Sequence, residues 1–231
     1  MLDIALIIGS YLLGSIPYML LLSRAKGIDL SREDDLHIAM WRKVGRLEGL
    51  SGILFDVFKG VIPIIIGFMF DFRLVVVASA GVAAVAGQMW PVFQKFDGEK
   101  GNSPGLPLFI TLSIVYQAYW VLAIAIIPIA AGAGIRTIPR FMAPGQTINE
   151  RFHLGGPPSR SLPLGMVIGF AFMPLASWLL KQPLEMTLPL LVLFIIIVVR
   201  RLTANINADI KPATSITSIL INRLLYDRSY L

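Results

Sequence analysis

The chain contains no cysteine, only two histidines, and just 15% charged residues among its 231 positions. Without cysteine there is no disulfide, no thiolate metal site and no cysteine nucleophile, and the redox compartment stays undecided. With His37 and His153 as the only imidazoles, a histidine-rich metal centre is excluded as well. Low charge combined with 56% hydrophobic residues and a mean hydropathy of +0.75 excludes a soluble composition. The net charge of +6 comes without an aromatic-interleaved basic patch, so nucleic acid is not the expected partner. No internal repeat or low-complexity tract is apparent. What the chain does have is a series of long apolar runs, which predict an all-α, polytopic membrane protein.

Residues 2 to 22 are long enough, at ~1.5 Å per residue, to cross a ~30 Å hydrocarbon core. Asp3 stands where the basic region of a signal peptide belongs, so a membrane span is expected there instead. Inside it, Gly14-Ser15-Ile16-Pro17 interrupts the run. Pro17 cannot donate to the carbonyl four residues back, and the freed backbone groups need either an internal partner such as Ser15 or a polar cavity. Residues 23 to 49 form a charged loop, and 50 to 70 return to the membrane carrying Asp56 and Lys59. Three apart on a helix, these two share a face and can pair. Ionisable groups at that depth point to function, with a structural ion pair as the alternative.

A third span is expected at 74 to 93, rich in alanine and glycine for close helix packing. Residues 106 to 134 are apolar over a length between one span and the ~40 residues that two require. They are expected to fold as a short pair or a re-entrant hairpin, with Pro128 as one break. Further spans are expected at 162 to 180 and 184 to 199, followed by a cytoplasmic tail over 200 to 231. The positive-inside rule then favours an external N-terminus and cytoplasmic C-terminus, with six to seven crossings in a single membrane domain. That arrangement leaves Arg73 and Lys181 outside, Lys59 in the membrane, and every other lysine and arginine inside.

The most informative stretch is Gly87 to Gly101, GQMWPVFQKFDGEKG. Glycines let backbone N–H groups turn toward an anion, and Lys100 adds a positive charge at the same spot, which suits a phosphate at the membrane edge. The alternative is an ordinary interfacial loop with Trp90 and Phe93 at headgroup depth.

The pieces Tyr11-Leu-Leu-Gly-Ser-Ile-Pro17, Gly27-Ile-Asp29, Trp41-Arg-Lys-Val-Gly45, Asp56-Val-Phe-Lys-Gly60 and Gly87 to Gly101 occur in this order. Together they resemble the bacterial acyl-phosphate:glycerol-3-phosphate acyltransferase family, over roughly the first 105 residues and again at Arg201 to Ile206. The resemblance implies a multi-pass enzyme of the bacterial inner membrane. It would move a fatty acyl group from acyl phosphate to position 1 of glycerol 3-phosphate, giving lysophosphatidic acid and phosphate in phospholipid synthesis. Such an enzyme uses no cofactor and no metal. By this resemblance Ser15 and Lys100 are the catalytic candidates, and Arg42, Lys59, Gln88, Gly98, Gly101 and Asn205 bind substrate. Asp56 would orient Lys59.

Several positions depart from the family pattern. Arg32 to Met40 replaces a loop rich in glycine and asparagine, Gln88 replaces a histidine, Glu99 a glycine, and Asn102-Ser103 a small pair, while Leu202 follows Arg201 where a histidine is expected. Acidic residues in a phosphate cradle repel the ligand, and glutamine hydrogen-bonds but does not titrate. His37 is a candidate substitute for the lost imidazole, a solvated loop histidine being the alternative. Two other functions stay open: a catalytically silent paralogue that binds lipid phosphate or partners an active enzyme, and a small transporter using Asp56 and Lys59. The missing inverted repeat counts against the transporter.

Overall fold

The computed structural model describes the chain apart from residues 32, 34, 146–159, 205, 210–214, 228 and 230–231. Among the described residues it is all-helical. Two compact units divide the chain, Met1–Val115 and Tyr116–Leu231.

The first unit contains α1 (Leu2–Ser15), α2 (Tyr18–Ala25), α3 (Leu36–Ala39) continued by a π turn over Met40–Val44, α4 (Arg46–Met69), α5 (Leu74–Met89) and α6 (Asn102–Val115). α1 and α2 together form one span of membrane length, Leu2–Ala25, broken at Pro17. The second unit contains α7 (Tyr119–Met142), α8 (Ser161–Leu179), α9 (Leu184–Thr203), the short α10 (Ile206–Asp209) and α11 (Ile216–Tyr226). Among the described residues six segments are long and apolar enough to cross a membrane, and α6, with 14 residues, is an additional short apolar helix. At ~1.5 Å per residue α6 measures about 21 Å, less than the hydrocarbon core.

The ambiguous run of 106 to 134 therefore belongs to two helices, but the break lies at Tyr116-Gln117-Ala118 and not at Pro128. Gln117 takes φ +56°, which ends α6, whereas Pro128 sits inside α7. Prolines 63, 107, 128, 139, 174 and 189 are likewise accommodated within helices, as membrane helices allow when neighbouring groups satisfy the freed carbonyls.

Missing side chains set the closest helix approaches. A Cβ on Gly14 would lie 1.9 Å from the Ala84 carbonyl oxygen, and one on Gly87 would lie 2.1 Å from that of Tyr11, so α1 and α5 cross in direct backbone contact. Gly60 does the same for α4 and α6, where a Cβ would meet the Pro104 carbonyl at 2.2 Å. Outward faces are apolar, with Ile4, Ile8, Phe58, Phe68, Trp120 and Trp178 exposed, as expected of surfaces solvated by lipid.

Candidate active site

The site is built where α1 ends. Pro17 has no N–H to continue the helix, so α1 stops at Ser15 and the chain restarts as α2 at Tyr18. Ser15 is fully buried and its hydroxyl donates to the Tyr11 carbonyl at 2.9 Å, while the Leu13 carbonyl, which Pro17 cannot reach, accepts from the Ile16 amide at 3.3 Å.

Opposite this break, one buried carboxylate gathers four segments of the chain. Lys59 Nζ lies 3.1 Å from Asp56 Oδ1 on the same face of α4, and both side chains are buried. The lysine also sits 5.3 Å over the Phe55 ring, which stacks on Tyr18. Asp56 Oδ2 accepts from His37 Nε2 at 3.1 Å, from Gln88 Nε2 at 2.8 Å and from Ser103 Oγ at 2.9 Å. A charge at this depth is tolerated because both oxygens are hydrogen-bonded and one faces a full positive charge.

Loop 90 to 101 closes over the end of α5. Tyr11 Oη donates to the Trp90 carbonyl at 2.6 Å, while the amides of Gly98 and Glu99 donate to the carbonyls of Met89 and Gln88 at 3.2 and 3.1 Å. The last carbonyls of α5 thus find partners in the loop instead of water. Gly98 must be small, since a Cβ there would stand 2.2 Å from the Gln88 oxygen, and Gly101 takes φ +76° immediately before α6 begins.

Between these parts lies a small cavity, partly open to the outside, lined among others by Ser15, Asp56, Lys59, Gln88, Gly98 and Glu99. Two buried acceptors, Gln88 Oε1 and Asn102 Oδ1, have no partner among the described residues. A buried unpaired amide oxygen costs on the order of 1–3 kcal/mol, so its presence in a cavity wall points to a ligand that donates to it.

Five of the residues selected from sequence therefore meet in one wall: Ser15, Asp56, Lys59, Gln88 and Gly98. Gly101 is buried just beyond them, and Lys100 is half-buried between Glu99 and Gly101 without lining the cavity. Arg42 is exposed on the π turn and also lies outside the lining. Asn205 falls outside the described residues. Three contributors stood out in the sequence only as departures from a pattern: His37, Ser103 and Glu99. Their signal was chemical, since each places a hydrogen-bonding or titrating group in a stretch otherwise read for glycines.

His37 and Glu99 lie outside the spans and influence each other. Burial works against a charge on His37, but the hydrogen bond to Asp56 and the charges of Glu99, Asp56 and Asp35 outweigh it and hold the imidazole at about 8. Glu99 is pushed up to about 7 by burial and by the charge of Asp56, against the pull of His37 and Lys59. Its Oε2 stands 3.9 Å from His37 Nδ1. His37, Asp56 and Glu99 offer ligand atoms within 4.8 Å of one another. The lysine and three further donors already on Asp56 make this an ion-pair network, with both Asp56 oxygens engaged.

Comparison with known proteins places this architecture. Residues 4–143, which include every residue lining the cavity, match the family model described as glycerol-3-phosphate acyltransferase. The glycerol-3-phosphate acyltransferase of Geotalea daltonii is 40% identical over 114 residues, covering 48% of this chain and 59% of that protein. That of Rubrobacter xylanophilus is 32% identical over 133 residues, covering 54% and 67%. The chain thus spans about 60% of the length of the first curated relatives it matches. The crystal structure of PlsY (YgiH), an integral membrane glycerol 3-phosphate acyltransferase in its glycerol 3-phosphate form, aligns with a TM-score of 0.63 at 23% identity, over 89% of this chain and 90% of that one. This likeness carries the fold, that of a multi-pass helical membrane protein. With the family model matching more than half of its length, the chain belongs to the glycerol-3-phosphate acyltransferase family.

Proposed function

We propose that this protein is an acyltransferase of the bacterial inner membrane that moves a fatty acyl group from acyl phosphate to glycerol 3-phosphate, releasing lysophosphatidic acid and phosphate. The observation that carries the reading is the cavity wall itself, in which a buried lysine and a buried amide oxygen lacking a donor stand side by side. A hydroxylated phosphate ester matches both: its anion shares Lys59 with Asp56, and its hydroxyl donates to Gln88 Oε1. Lys100 and the first amides of α6, which have no intrahelical partner, form a second cationic edge for phosphate. Gly98 and Gly101 let the backbone come close, and exposed Arg42 draws anions toward the membrane surface.

The chemistry asked of the protein is modest. An acyl phosphate is already activated, so positioning two anions and stabilising the oxyanion supply most of the rate. Ser15 contributes as an acceptor, because its own proton is held by the Tyr11 carbonyl. No step is assigned to a metal or cofactor.

Phosphate release by the purified, lipid-reconstituted protein given palmitoyl phosphate, with and without glycerol 3-phosphate, tests this reading beside Lys100→Ala. Release that needs both the acceptor and Lys100 is expected. No release from folded protein overturns the assignment. The second reading, a silent paralogue that binds lipid phosphate, is favoured by the carboxylate of Asp56, which neutralises Lys59, and by Glu99 in the same wall. Glycerol 3-phosphate binding without turnover would select it.

A further inference from the structure

The described residues that line the cavity carry no surplus of positive charge. Lys59 is the one cation among them, and its ammonium is already matched by Asp56 Oδ1 at 3.1 Å. Glu99 adds a second carboxyl to the same wall. His37, beside the wall, does not change the balance, because its ring nitrogens stand 3.1 Å from Asp56, 3.9 Å from Glu99 and 4.0 Å from Asp35. Two cationic groups thus face three carboxyl groups, and Lys100 lies outside the lining.

Hydrogen-bonding capacity points the same way. Gln88 is only 3% exposed, and its Nε2 donates to Asp56 Oδ2 at 2.8 Å and to Ser103 Oγ at 3.1 Å. A carboxylate paired with a lysine only accepts, and Ser103 spends its own proton on the same carboxylate oxygen at 2.9 Å. Both neighbours therefore require the nitrogen of the amide, which fixes Oε1 on the other side as a buried acceptor without a donor among the described residues. The wall calls for a hydroxyl and offers no unmatched cation to an anion.

Resting on the acyl-transfer reading above, we infer that the acceptor site takes small polyols that carry no phosphate, glycerol being the simplest, beside glycerol 3-phosphate. One hydroxyl donates to Gln88 Oε1, and the phosphate of the acyl donor is left to the edge formed by Lys100 and the first amides of α6. The O–H bond of the reacting hydroxyl breaks, and its oxygen forms the new ester bond to the acyl carbon. The bond from that carbon to the phosphate oxygen breaks with its electron pair, and the proton leaves with the released phosphate. The products are an uncharged monoacyl polyol and hydrogen phosphate.

A site built to bind one polar group rejects the analogue lacking it by about 10⁴- to 10⁵-fold. The matched charges of this wall predict a much smaller gap. The experiment gives the reconstituted wild type palmitoyl phosphate in glycerol-free buffer with no acceptor, with glycerol or with glycerol 3-phosphate. Phosphate release and the acylated product, identified by mass spectrometry, are both read. A kcat/KM for glycerol within about 10²-fold of that for glycerol 3-phosphate, with monoacylglycerol formed, is expected. A wider gap overturns the inference and leaves acyl transfer to glycerol 3-phosphate standing. Release that neither acceptor increases overturns the acyl-transfer reading, and this inference with it. Glu99→Gln removes one like charge from the wall and should shift the preference toward glycerol 3-phosphate by about tenfold. An unchanged ratio in folded Glu99→Gln overturns the assignment of acceptor choice to the charge of this wall, and the wild-type comparison decides where that variant does not fold.

Discussion

Each unit buries charge among the described residues, and the two solutions around Asp56 and around Arg201 and Arg223 contrast. In the second unit Arg201 donates to the carbonyls of Pro163 and Leu224 and pairs with Asp227 at 3.2 Å. Arg223 donates to the carbonyls of Leu202 and Ala204, to Ser229, and to Asp209 at 2.5 Å, while Ser229 in turn bonds Asp209. Three of these carbonyls, those of Leu202, Ala204 and Leu224, close the C-terminal ends of helices, the groups that a helix cannot satisfy by itself. In the first unit Asp56, Lys59 and Gln88 line a cavity, and Gln88 Oε1 finds no donor among the described residues. Buried charge alone therefore does not mark a functional site. Hydrogen-bonding capacity left unused beside a cavity does.

The substitutions that test this contrast differ widely in expected size. Gly87→Val should cost the most, because its Cβ would collide with the Tyr11 carbonyl oxygen at 2.1 Å and neither backbone can yield. Loss of the folded first unit, upwards of about 3 kcal/mol, is expected in a thermal melt in detergent. Arg201→Met should destabilise by about 3–5 kcal/mol by removing a buried guanidinium from Asp227 and from the carbonyls of Pro163 and Leu224. The folded fraction should still release phosphate at the wild-type rate. A rate that falls further than the folded fraction would erase the distinction between the two networks.

Gln88→Met should do the reverse. It removes the donor to Asp56 for about 1–2 kcal/mol but lowers acceptor-dependent turnover by tenfold or more. The next effect is one of pH. His37 and Glu99 both have raised folded values, so each contributes stability at low pH that is lost as pH rises. For Glu99 the loss runs from about 4.5 to about 7, and for His37 from 6.5 to about 8. The melting temperature should fall across that window, by a free energy of order 1–2 kcal/mol for His37, and His37→Asn should flatten the part above 6.5. Smallest is Arg73→Ala, whose exposed pair with Asp3 should contribute less than ~0.5 kcal/mol.

Much of the first unit was legible in the sequence because its signals are local. Pro17 and Ser15 define the helix break, Asp56 and Lys59 sit three apart and pair, and the alanine and glycine content of α5 announces close packing. The end of α6 was harder to place, because prolines are tolerated within membrane helices and the actual break uses Gln117, a residue with no breaking signature. Five of the residues chosen from sequence meet in the cavity wall, Lys100 and Arg42 lie outside it, and the network among them was not legible. That His37, Gln88 and Ser103 share one oxygen of Asp56 depends on contacts between positions 15 to 47 residues apart, which no spacing rule reaches.

The glycine crossing of α1 and α5 has a bearing on the surrounding lipid. Membrane helices answer a change in bilayer thickness by tilting, and two helices in backbone contact tilt about the place where they touch. Gly14 and Gly87 mark that place, and each is followed in the chain by a residue of the cavity wall, Ser15 and Gln88. Points beside a pivot move least, so the two walls keep their separation while the helix ends swing. The site is thereby mechanically insulated from the thickness of its own solvent, a fitting property for the proposed acyl transfer, whose product would become part of that solvent.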